Sequence, residues 1–141
     1  MRTIDLSLEG GSLFGYVVDA DLPNIGNYLE QHTDDAALIS ESLKSHGERV
    51  ALLRNMSVDE DARGQGIGTQ LVSDFLAEAD RLGATAYLLV CDLGETQAPG
   101  FDLKAWYESF GFVAVDEVCD GVLMAMPDRV AERLAGLAAH G

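Results

Sequence analysis

Two patterns of apolar and polar residues alternate along the chain, and they predict a mixture of strands and helices. Strict alternation, or a short wholly apolar run, is typical of a strand, whereas apolar residues that recur every three or four positions are typical of a helix. The segment 23–27 contains Pro, Asn and Gly and is interpreted as a break. The strands are predicted at 4–8, 13–18, 49–58, 87–91, 112–118 and 122–126, and the helices at 34–45, 67–82, 103–110 and from 128 onward. The first two strands and the last two are each expected to form a hairpin.

The best-defined helix, 67–82, follows directly on a glycine-rich turn. Its apolar residues fall on one face, and Gly83 stands where a left-handed C-terminal cap belongs. Ahead of it, the strand 49–58 leads into a turn with glycines at positions 64, 66 and 68. This order places the free N–H groups of a helix N-terminus next to the end of a strand.

Such a turn suits an anion. The helix dipole and the free N–H groups favour negative charge, and glycines let a phosphate approach the backbone closely. Arg63 adds a guanidinium that matches phosphate oxygens. The spacing G-x-G-x-G differs from the G-x-G-x-x-G of a dinucleotide-binding turn, and the turn lacks the lysine of a Walker A loop. The residues therefore predict a pyrophosphate site, with a glycine turn that binds no ligand as the alternative.

Two motifs together resemble the GNAT superfamily of N-acetyltransferases. The run Arg63-x-x-Gly66-x-Gly68 matches the family's Arg/Gln-x-x-Gly-x-Gly/Ala motif. Residues 105–112, Ala-Trp-Tyr-Glu-Ser-Phe-Gly-Phe, resemble its second landmark, an aromatic-Tyr-Glu-x-x-Gly-Phe helix end. The resemblance covers about residues 48–127. It implies an α/β fold with a mixed, mostly antiparallel sheet flanked by helices. The length of the chain indicates one domain, so a single N-acetyltransferase domain is expected over residues 1–141.

The N-terminal third departs from the family's pattern. GNAT proteins usually place one or two helices between their first two strands, whereas a short turn separates the strands at 4–8 and 13–18 here. The predicted helix at 34–45 comes later. The resemblance therefore does not predict which residues line the acceptor pocket.

The resemblance also implies a specific site. The strand before the turn splays from the strand after the helix, and acetyl-CoA lies in the gap as co-substrate. Tyr107 is expected to donate its O–H to the departing CoA sulfur. On the residues alone Tyr107 is a core tyrosine, because it shares an apolar face with Leu103. Pantetheine is expected to pair with the backbone of Met56, Ser57 and Val58, and the pyrophosphate to bind Arg63 and the N–H groups of Gly64, Gln65, Gly66, Ile67, Gly68 and Thr69.

The general base is left open by the sequence. Many family members carry a Glu in one of the two strands that flank the gap, but the strand 49–58 contains no acid. Asp92 and Glu95, in the loop after the later strand, are candidates, and Asn55 and Ser57 are candidates for ordering a proton-carrying water. Arg54, unusual in an apolar strand, is expected to bind an anionic group of the acceptor or to pair with a surface acid.

Composition narrows the functional classes. The net charge of −15 opposes nucleic-acid binding, and it either reflects a solvated surface or attracts a cationic amine. No apolar run approaches the ~20 residues that span a bilayer, and the N-terminus lacks a signal-peptide core, so a cytoplasmic protein with no membrane partner is expected. Cys91 is interpreted as a core residue. Histidines and cysteines have no spacing for a metal site.

The predicted function is acetyl-CoA-dependent N-acetylation by direct transfer in a ternary complex. The partners are acetyl-CoA and an amine acceptor that the sequence does not identify. The amphipathic C-terminal helix is expected either to pack on its own sheet or to form part of a homodimer contact, and the homodimer is favoured. The alternatives are a non-catalytic acyl-CoA-binding regulatory module and an interaction domain without a ligand.

Overall fold

The computed structural model describes residues 2–19, 23–30, 36–59, 65–92, 103–118 and 121–138. These residues form six strands and five helices. In chain order they are β1 (Arg2–Leu8), β2 (Gly11–Asp19), α1 (Pro23–Glu30), α2 (Ala36–Ser45), β3 (Arg49–Val58), α3 (Ile67–Arg81), β4 (Ala86–Asp92), α4 (Leu103–Glu108), β5 (Val113–Val118), β6 (Gly121–Met126) and α5 (Asp128–Ala138).

The strands form one sheet in the order β1-β2-β3-β4-β6-β5. β3 and β4 are parallel, and the other neighbouring strands are antiparallel, including both predicted hairpins. α3 connects the parallel pair, because parallel strands need a crossover connection. The prediction of a mixed, mostly antiparallel sheet with flanking helices is confirmed.

Helices cover both faces of this sheet. α1, α2 and α5 share a core with one face, which we call the α5 face, and α3 and α4 pack on the opposite α3 face. The side chains of β3 alternate between the two cores, with Leu52 on the α5 face and Leu53 on the α3 face. Cys91 is fully buried on the α3 face, as expected of a core residue.

The segment 23–27 is the first part of α1, so its interpretation as a break was wrong. Pro23 occupies the first helical position, where a missing N–H costs nothing and the fixed φ suits the helix. Ile25, Tyr28 and Leu29 are buried at helical spacing. Burial of this apolar face outweighs the low helix propensity of the glycine at position 26. Two helices, α1 and α2, therefore separate β2 from β3.

Glycines on β2 allow α3 to lie against the sheet backbone. A Cβ added at Gly15 would lie 2.4 Å from the carbonyl oxygen of Leu52 and 2.6 Å from Cε2 of Phe75. One added at Gly11 would lie 2.8 Å from Cγ2 of Ile67. This close approach sets the first turn of α3 beside the start of β2 and the end of β3.

A polar cluster around the buried Glu48, which we call the Glu48 cluster, joins α2, α5 and the start of β4. Glu48 is 6% exposed, and Arg129 Nη1 donates a hydrogen bond of 3.1 Å to its Oε1. Thr85 Oγ1 donates to Glu48 Oε2 at 3.3 Å. Arg133 Nη2 lies 3.9 Å from the same Oε1, while its Nε donates to Ser42 Oγ at 3.2 Å. A buried carboxylate is thus paired and hydrogen-bonded at the end where the parallel strands begin.

Candidate active site

The sheet splits between β3 and β4. Their parallel register covers three residue pairs, from Val50–Ala86 to Leu52–Leu88, within the described residues. Beyond these pairs, β3 continues along β2 and β4 continues along β6. We call the gap between residues 53–58 and residues 89–92 the cleft. The expected divergence of the two strands is present, and it leaves backbone N–H and C=O groups on facing edges without a strand partner.

The backbone of β3 presents Met56 and Val58 to the cleft. At the end of the strand, the N–H of Asp59 donates a 2.7 Å hydrogen bond to the carbonyl of Gly10, on the side of β2. Bonding directions alternate along a strand, so the N–H and C=O of Ser57 also point to β2, and those of Met56 and Val58 point to the cleft. Two of the three residues expected to pair with pantetheine therefore face the cleft with their backbone groups.

A β-bulge marks the point where the cleft begins. The register between β2 and β3 shifts between Phe14 and Gly15, which makes Arg54 the extra residue on β3. A bulge redirects the side chain that it carries. The exposed Arg54 side chain lies over the ring of Tyr28 in α1, with 5.2 Å between its Cζ and the ring centroid. The sequence singled out Arg54 by its polarity, but neither the bulge nor the partner was predictable from it.

The glycine turn leads into α3 as the pattern predicted. Gly66 has φ +78°, the left-handed conformation that favours glycine, and no side chain caps the helix. The first backbone bond of the helix is donated by Gln70 to the carbonyl of Gly66. Among the described residues nothing accepts a hydrogen bond from the N–H groups of Ile67, Gly68 and Thr69. These three donors and the positive end of the helix dipole make the start of α3 suited to an anion.

Three elements converge at Gly68. A Cβ added there would lie 3.5 Å from the indole ring of Trp106 in α4 and 3.6 Å from Cγ2 of Val58 at the end of β3. The Trp106 ring is 5.0 Å from the ring of Tyr107, with which it makes an edge contact. Tyr107 is 6% exposed and makes a second edge contact with Phe112 at 6.2 Å. The structure therefore brings the end of β3, the glycine turn and the aromatic helix together, and Trp106 packs between them.

Acidic groups are scarce along the described cleft edge of β3. Asn55 and Ser57 are its exposed polar residues beside Arg54. Of the two loop acids, Asp92 ends β4, and Glu95 lies outside the described residues. The predicted residues Arg63 and Gly64 also lie outside the described residues.

The shifted pKa values belong to the part of the molecule away from the glycine turn. A hydrogen bond from Arg81 lowers the pKa of Glu78, and the same contact raises the pKa of Arg81. Burial raises the pKa of Tyr87, and the nearby charge of Asp80 adds to the effect. Glu78, Asp80 and Arg81 are in the last turn of α3, so these shifts do not mark the cleft.

Comparison with protein families identifies the chain. The model described as the acetyltransferase (GNAT) domain matches residues 24–114, which is more than half of the 141 residues. The chain therefore belongs to the GNAT acetyltransferase family, as the two motifs predicted. Both motifs lie within the matched segment. A comparison with curated proteins gave no significant match.

Solved structures of similar fold include the anti-CRISPR protein AcrVA5, with a TM-score of 0.51 and 17% identity over 90% of this chain and 100% of that chain. The Escherichia coli ribosomal-protein-S18-alanine N-acetyltransferase has a TM-score of 0.52 and 20% identity over 89% of this chain and 69% of the other. A GNAT-family acetyltransferase from Listeria monocytogenes has a TM-score of 0.53 and 12% identity, with coverage of 83% and 56%. The chain thus matches the whole of one neighbour and about half of another, and the likeness is one of fold.

In the described part of the chain, no helix is long and apolar enough to cross a membrane. The same residues contain no group of three or more His, Cys, Asp or Glu side chains placed to hold a metal ion.

Proposed function

We propose that this protein is an acetyl-CoA-dependent N-acetyltransferase that moves an acetyl group directly to a primary amine while both substrates are bound. The convergence of the end of β3, the first turn of α3 and the aromatic helix α4 at Gly68 carries the proposal. Membership of the GNAT family supports acetyl transfer in general. A neighbour of similar fold is named an alanine N-acetyltransferase, which is in keeping with an amine acceptor.

The chain's own groups fit acetyl-CoA at both ends of the cleft. The donors of Ile67, Gly68 and Thr69 at the start of α3 suit the pyrophosphate. Arg63 and Gly64, which precede them in the sequence motif, are assigned to the same group. The cleft-facing backbone groups of Met56 and Val58 suit the amides of pantetheine, which would add to β3 as a strand does. Gly68 matters in this arrangement because its bare backbone lets a phosphate approach.

Acetyl-CoA supplies an activated thioester, and the residues around it move protons. In the transfer a C–N bond forms and the C–S bond breaks. The amine releases one proton, and the CoA sulfur takes one up. Tyr107, whose ring contacts Trp106 on the α3 face, is assigned as the donor to that sulfur through its phenol. A backbone N–H of β3 near Val58 is assigned as the donor to the carbonyl oxygen.

The base is assigned to a small set rather than to one residue. Asp92 is the last residue of β4, and Glu95 comes three residues later in the chain. Asn55 with Ser57 on β3 could order a water that carries the proton away. Asp92→Asn and Glu95→Gln each test a carboxylate base. A true base variant loses rate and also loses the acidic limb of the pH–rate profile. If both variants keep that limb, the ordered water is the remaining assignment.

The second candidate is a module that binds acyl-CoA without turnover. It is favoured by one observation, the absence of any acid in β3 from Arg49 to Val58. Both candidates share the binding site described above. They differ in whether acetyl groups leave the complex on an amine.

Two measurements test the proposal. Acetyl-CoA should stabilise the protein by about 2.7 kcal/mol at a hundred times its dissociation constant. Gly68→Ala should reduce acetyl-CoA affinity about 10-fold by crowding the phosphate, while its Cβ makes only ordinary contacts of 3.5 and 3.6 Å within the protein. A matched control is Gly136→Ala in α5, where an added Cβ has no neighbour within 4 Å. Gly66 is a poorer choice, because any side chain there is strained at φ +78°.

Turnover across a panel of primary amines separates the two candidates. Acetylated product marks the enzyme, and binding without product marks the module. A protein that acetyl-CoA does not stabilise would overturn both.

A further inference from the structure

The α5 face of the cleft carries an exposed cation. Arg54 projects toward that face, where it meets α1, while α3, Trp106 and Tyr107 lie on the other face. The bulge makes Arg54 an extra residue on β3. Arg54 lies two positions beyond Leu52, which is the last residue of β3 that pairs with β4. At the rise of a strand this is roughly 7 Å past the closed part of the sheet. Arg54 therefore stands at the inner end of the cleft.

Arg54 is held by a ring and not by an acid. Its guanidinium lies over Tyr28, whose side chain is 5% exposed and fixed in the core of the α5 face. An aromatic ring attracts the positive charge but, unlike a carboxylate, does not pair with the guanidinium's N–H donors, which are available for other partners. An arginine fixed in this way loses less conformational freedom when it binds a ligand.

Most of the other basic residues in the described part of the chain are paired with an acid. Among the described residues, five basic side chains lie within 4.0 Å of a carboxylate: Arg49, Arg81, Lys104, Arg129 and Arg133. Arg54, like Arg2 and Lys44, has no such partner in the described part of the chain, although the net charge is −15. The expectation that it pairs with a surface acid is therefore not met there. An exposed cation on a central strand is left with capacity for an external oxyanion.

The two faces of the cleft suit different substrates. The groups assigned to acetyl-CoA, the start of α3 and Tyr107, lie on the α3 face. The acceptor nitrogen has to reach the thioester from a side that the CoA does not occupy, and the α5 face offers one. That side is flanked by Phe14, a side chain 38% exposed on the neighbouring strand β2.

We propose that Arg54 binds a carboxylate or phosphate carried by the acceptor, so that the protein selects amines whose own molecule bears an oxyanion. This inference rests on the proposed function, because it takes the cleft to be the acetyl-CoA site. Phe14 adds an apolar surface beside the same site, which suits the carbon chain between the amine and the oxyanion. The acidic remainder of the protein repels anions at long range, so the selectivity depends on the direct contact with Arg54.

Bisubstrate analogues test this without requiring turnover. In each, the sulfur of CoA is joined through an acetyl unit to an amide nitrogen, which carries a chain of one to four carbons. The chain ends in a carboxylate, in a phosphate, or in a neutral carboxamide of nearly the same shape as the carboxylate. Calorimetry gives the dissociation constant of every member with the wild-type protein. Comparison within a chain length cancels the contribution of CoA.

The carboxylate or the phosphate analogue should bind about 10-fold more tightly than the carboxamide at one chain length or more, which is the lower end for a charge-assisted hydrogen bond. The preference should fall to about one in Arg54→Gln and weaken with salt. Arg2→Gln is a matched control, because it removes an exposed arginine from the edge strand β1 and changes the net charge equally. It should leave the preference unchanged.

The outcomes distinguish an error in the Arg54 site from an error in the acetyl-CoA site. If CoA and every analogue bind, but no chain length favours the oxyanion, the Arg54 site is wrong and the proposed function stands. The same conclusion follows if the preference survives in Arg54→Gln. If neither CoA nor any analogue binds, the acetyl-CoA site itself is wrong, and the Arg54 site fails with it. A preference for phosphate over carboxylate, or the reverse, identifies the oxyanion.

Discussion

The two halves of β3 differ in pairing, burial and polarity. From Arg49 to Leu53 the strand begins between β2 and β4, and residues 50–53 are at most 5% exposed. From Arg54 to Val58 it keeps only β2, and every side chain is at least partly exposed. One strand therefore serves two purposes. Its first half belongs to the core of the sheet, and its second half forms one wall of the cleft.

This difference shows where chemistry enters the fold. A residue between two paired strands has its backbone groups satisfied and its side chain in a core, so it contributes to stability. A residue beyond the split has backbone groups and a side chain to offer to a ligand. Substitutions in the first half should change stability without changing acetyl-CoA binding. Substitutions around the second half should do the reverse.

The largest effect is expected from Gly15→Ala, next to the closed half of β3. The added methyl group would lie 2.4 Å from the backbone oxygen of Leu52 and 2.6 Å from Phe75, and backbone cannot move aside cheaply. We expect a loss of about 3 kcal/mol or more in the free energy of unfolding, at the upper end for overpacking. Urea denaturation measures it.

Gly26→Ala is the matched control for this substitution. Gly26 lies in α1, where an added Cβ would meet only Ser40 Oγ at 3.7 Å. Alanine favours a helix over glycine by about 0.8–1.0 kcal/mol, so this variant should be at least as stable as the wild type. Equal stability of Gly15→Ala and wild type would mean that α3 does not pack on β2 as closely as the structure places it.

The second-largest effect is expected from Tyr107→Phe, on the side of the cleft. The ring keeps its edge contacts with Trp106 and Phe112, and only the O–H is lost. We expect kcat to fall about 100-fold, at the low end for general acid catalysis because a thiolate leaves readily. Acetyl-CoA affinity should stay nearly constant, since the proton is needed during transfer and not during binding.

Steady-state kinetics with a reactive amine and calorimetry with acetyl-CoA measure the two quantities. Phe112→Leu controls for packing, because it disturbs the same aromatic group without touching a phenol. A Tyr107→Phe enzyme that turns over at the wild-type rate when chemistry limits kcat would reduce Tyr107 to a core residue.

A smaller effect is expected from Glu48→Ala, at the residue directly before the closed half of β3. The substitution leaves Arg129 and Arg133 without their buried carboxylate. Breaking a fully buried ion pair costs about 3–5 kcal/mol, but Arg129 is half exposed, so we expect about 2 kcal/mol. Glu41→Ala, an exposed acid on α2, should change stability by less than about 0.5 kcal/mol. Acetyl-CoA affinity should be the same in both variants. A large loss of affinity in Glu48→Ala would show that the two ends of β3 are coupled.

Sequence patterns predicted the closed half of β3 better than the open half. The run of apolar residues from 50 to 53 predicts a buried strand, and the glycine turn predicts the start of α3. The point at which β3 and β4 separate depends on a pairing between residues 36 positions apart, which no local pattern records. The change to polar residues at Arg54 is the only sign in the sequence that the open half of β3 begins there. The orientation of Arg54 depends on the bulge and on Tyr28, which the sequence does not reveal.

The missed helix α1 has a similar explanation. Proline and glycine suggested a break, yet Ile25, Tyr28 and Leu29 repeat at helical spacing, and proline is well tolerated in a first helical turn. The local propensity of proline and glycine favours a break, but burial of the apolar face of α1 outweighs it. The same error hid the residue that holds Arg54, because Tyr28 belongs to that face.

The smallest effect is expected from Tyr87→Phe at high pH. Tyr87 lies in the closed region, paired with Ala51, and burial with the charge of Asp80 raises its pKa. The unfolded chain therefore releases this proton at a lower pH than the folded protein does. The stabilising contribution is complete below the unfolded pKa of about 10 and is lost as pH rises through the folded value. Phenylalanine has no proton to release, so the unfolding free energy of Tyr87→Phe should decline less steeply above pH ~10. Urea midpoints for both proteins, measured in steps from pH 8 to pH 11, give the difference. The two curves should run parallel near pH 8, and acetyl-CoA affinity at neutral pH should not change, because the phenol lies outside the cleft. Curves that stay parallel to the end of the series would show that Tyr87 is as well solvated in the folded protein as in the unfolded chain.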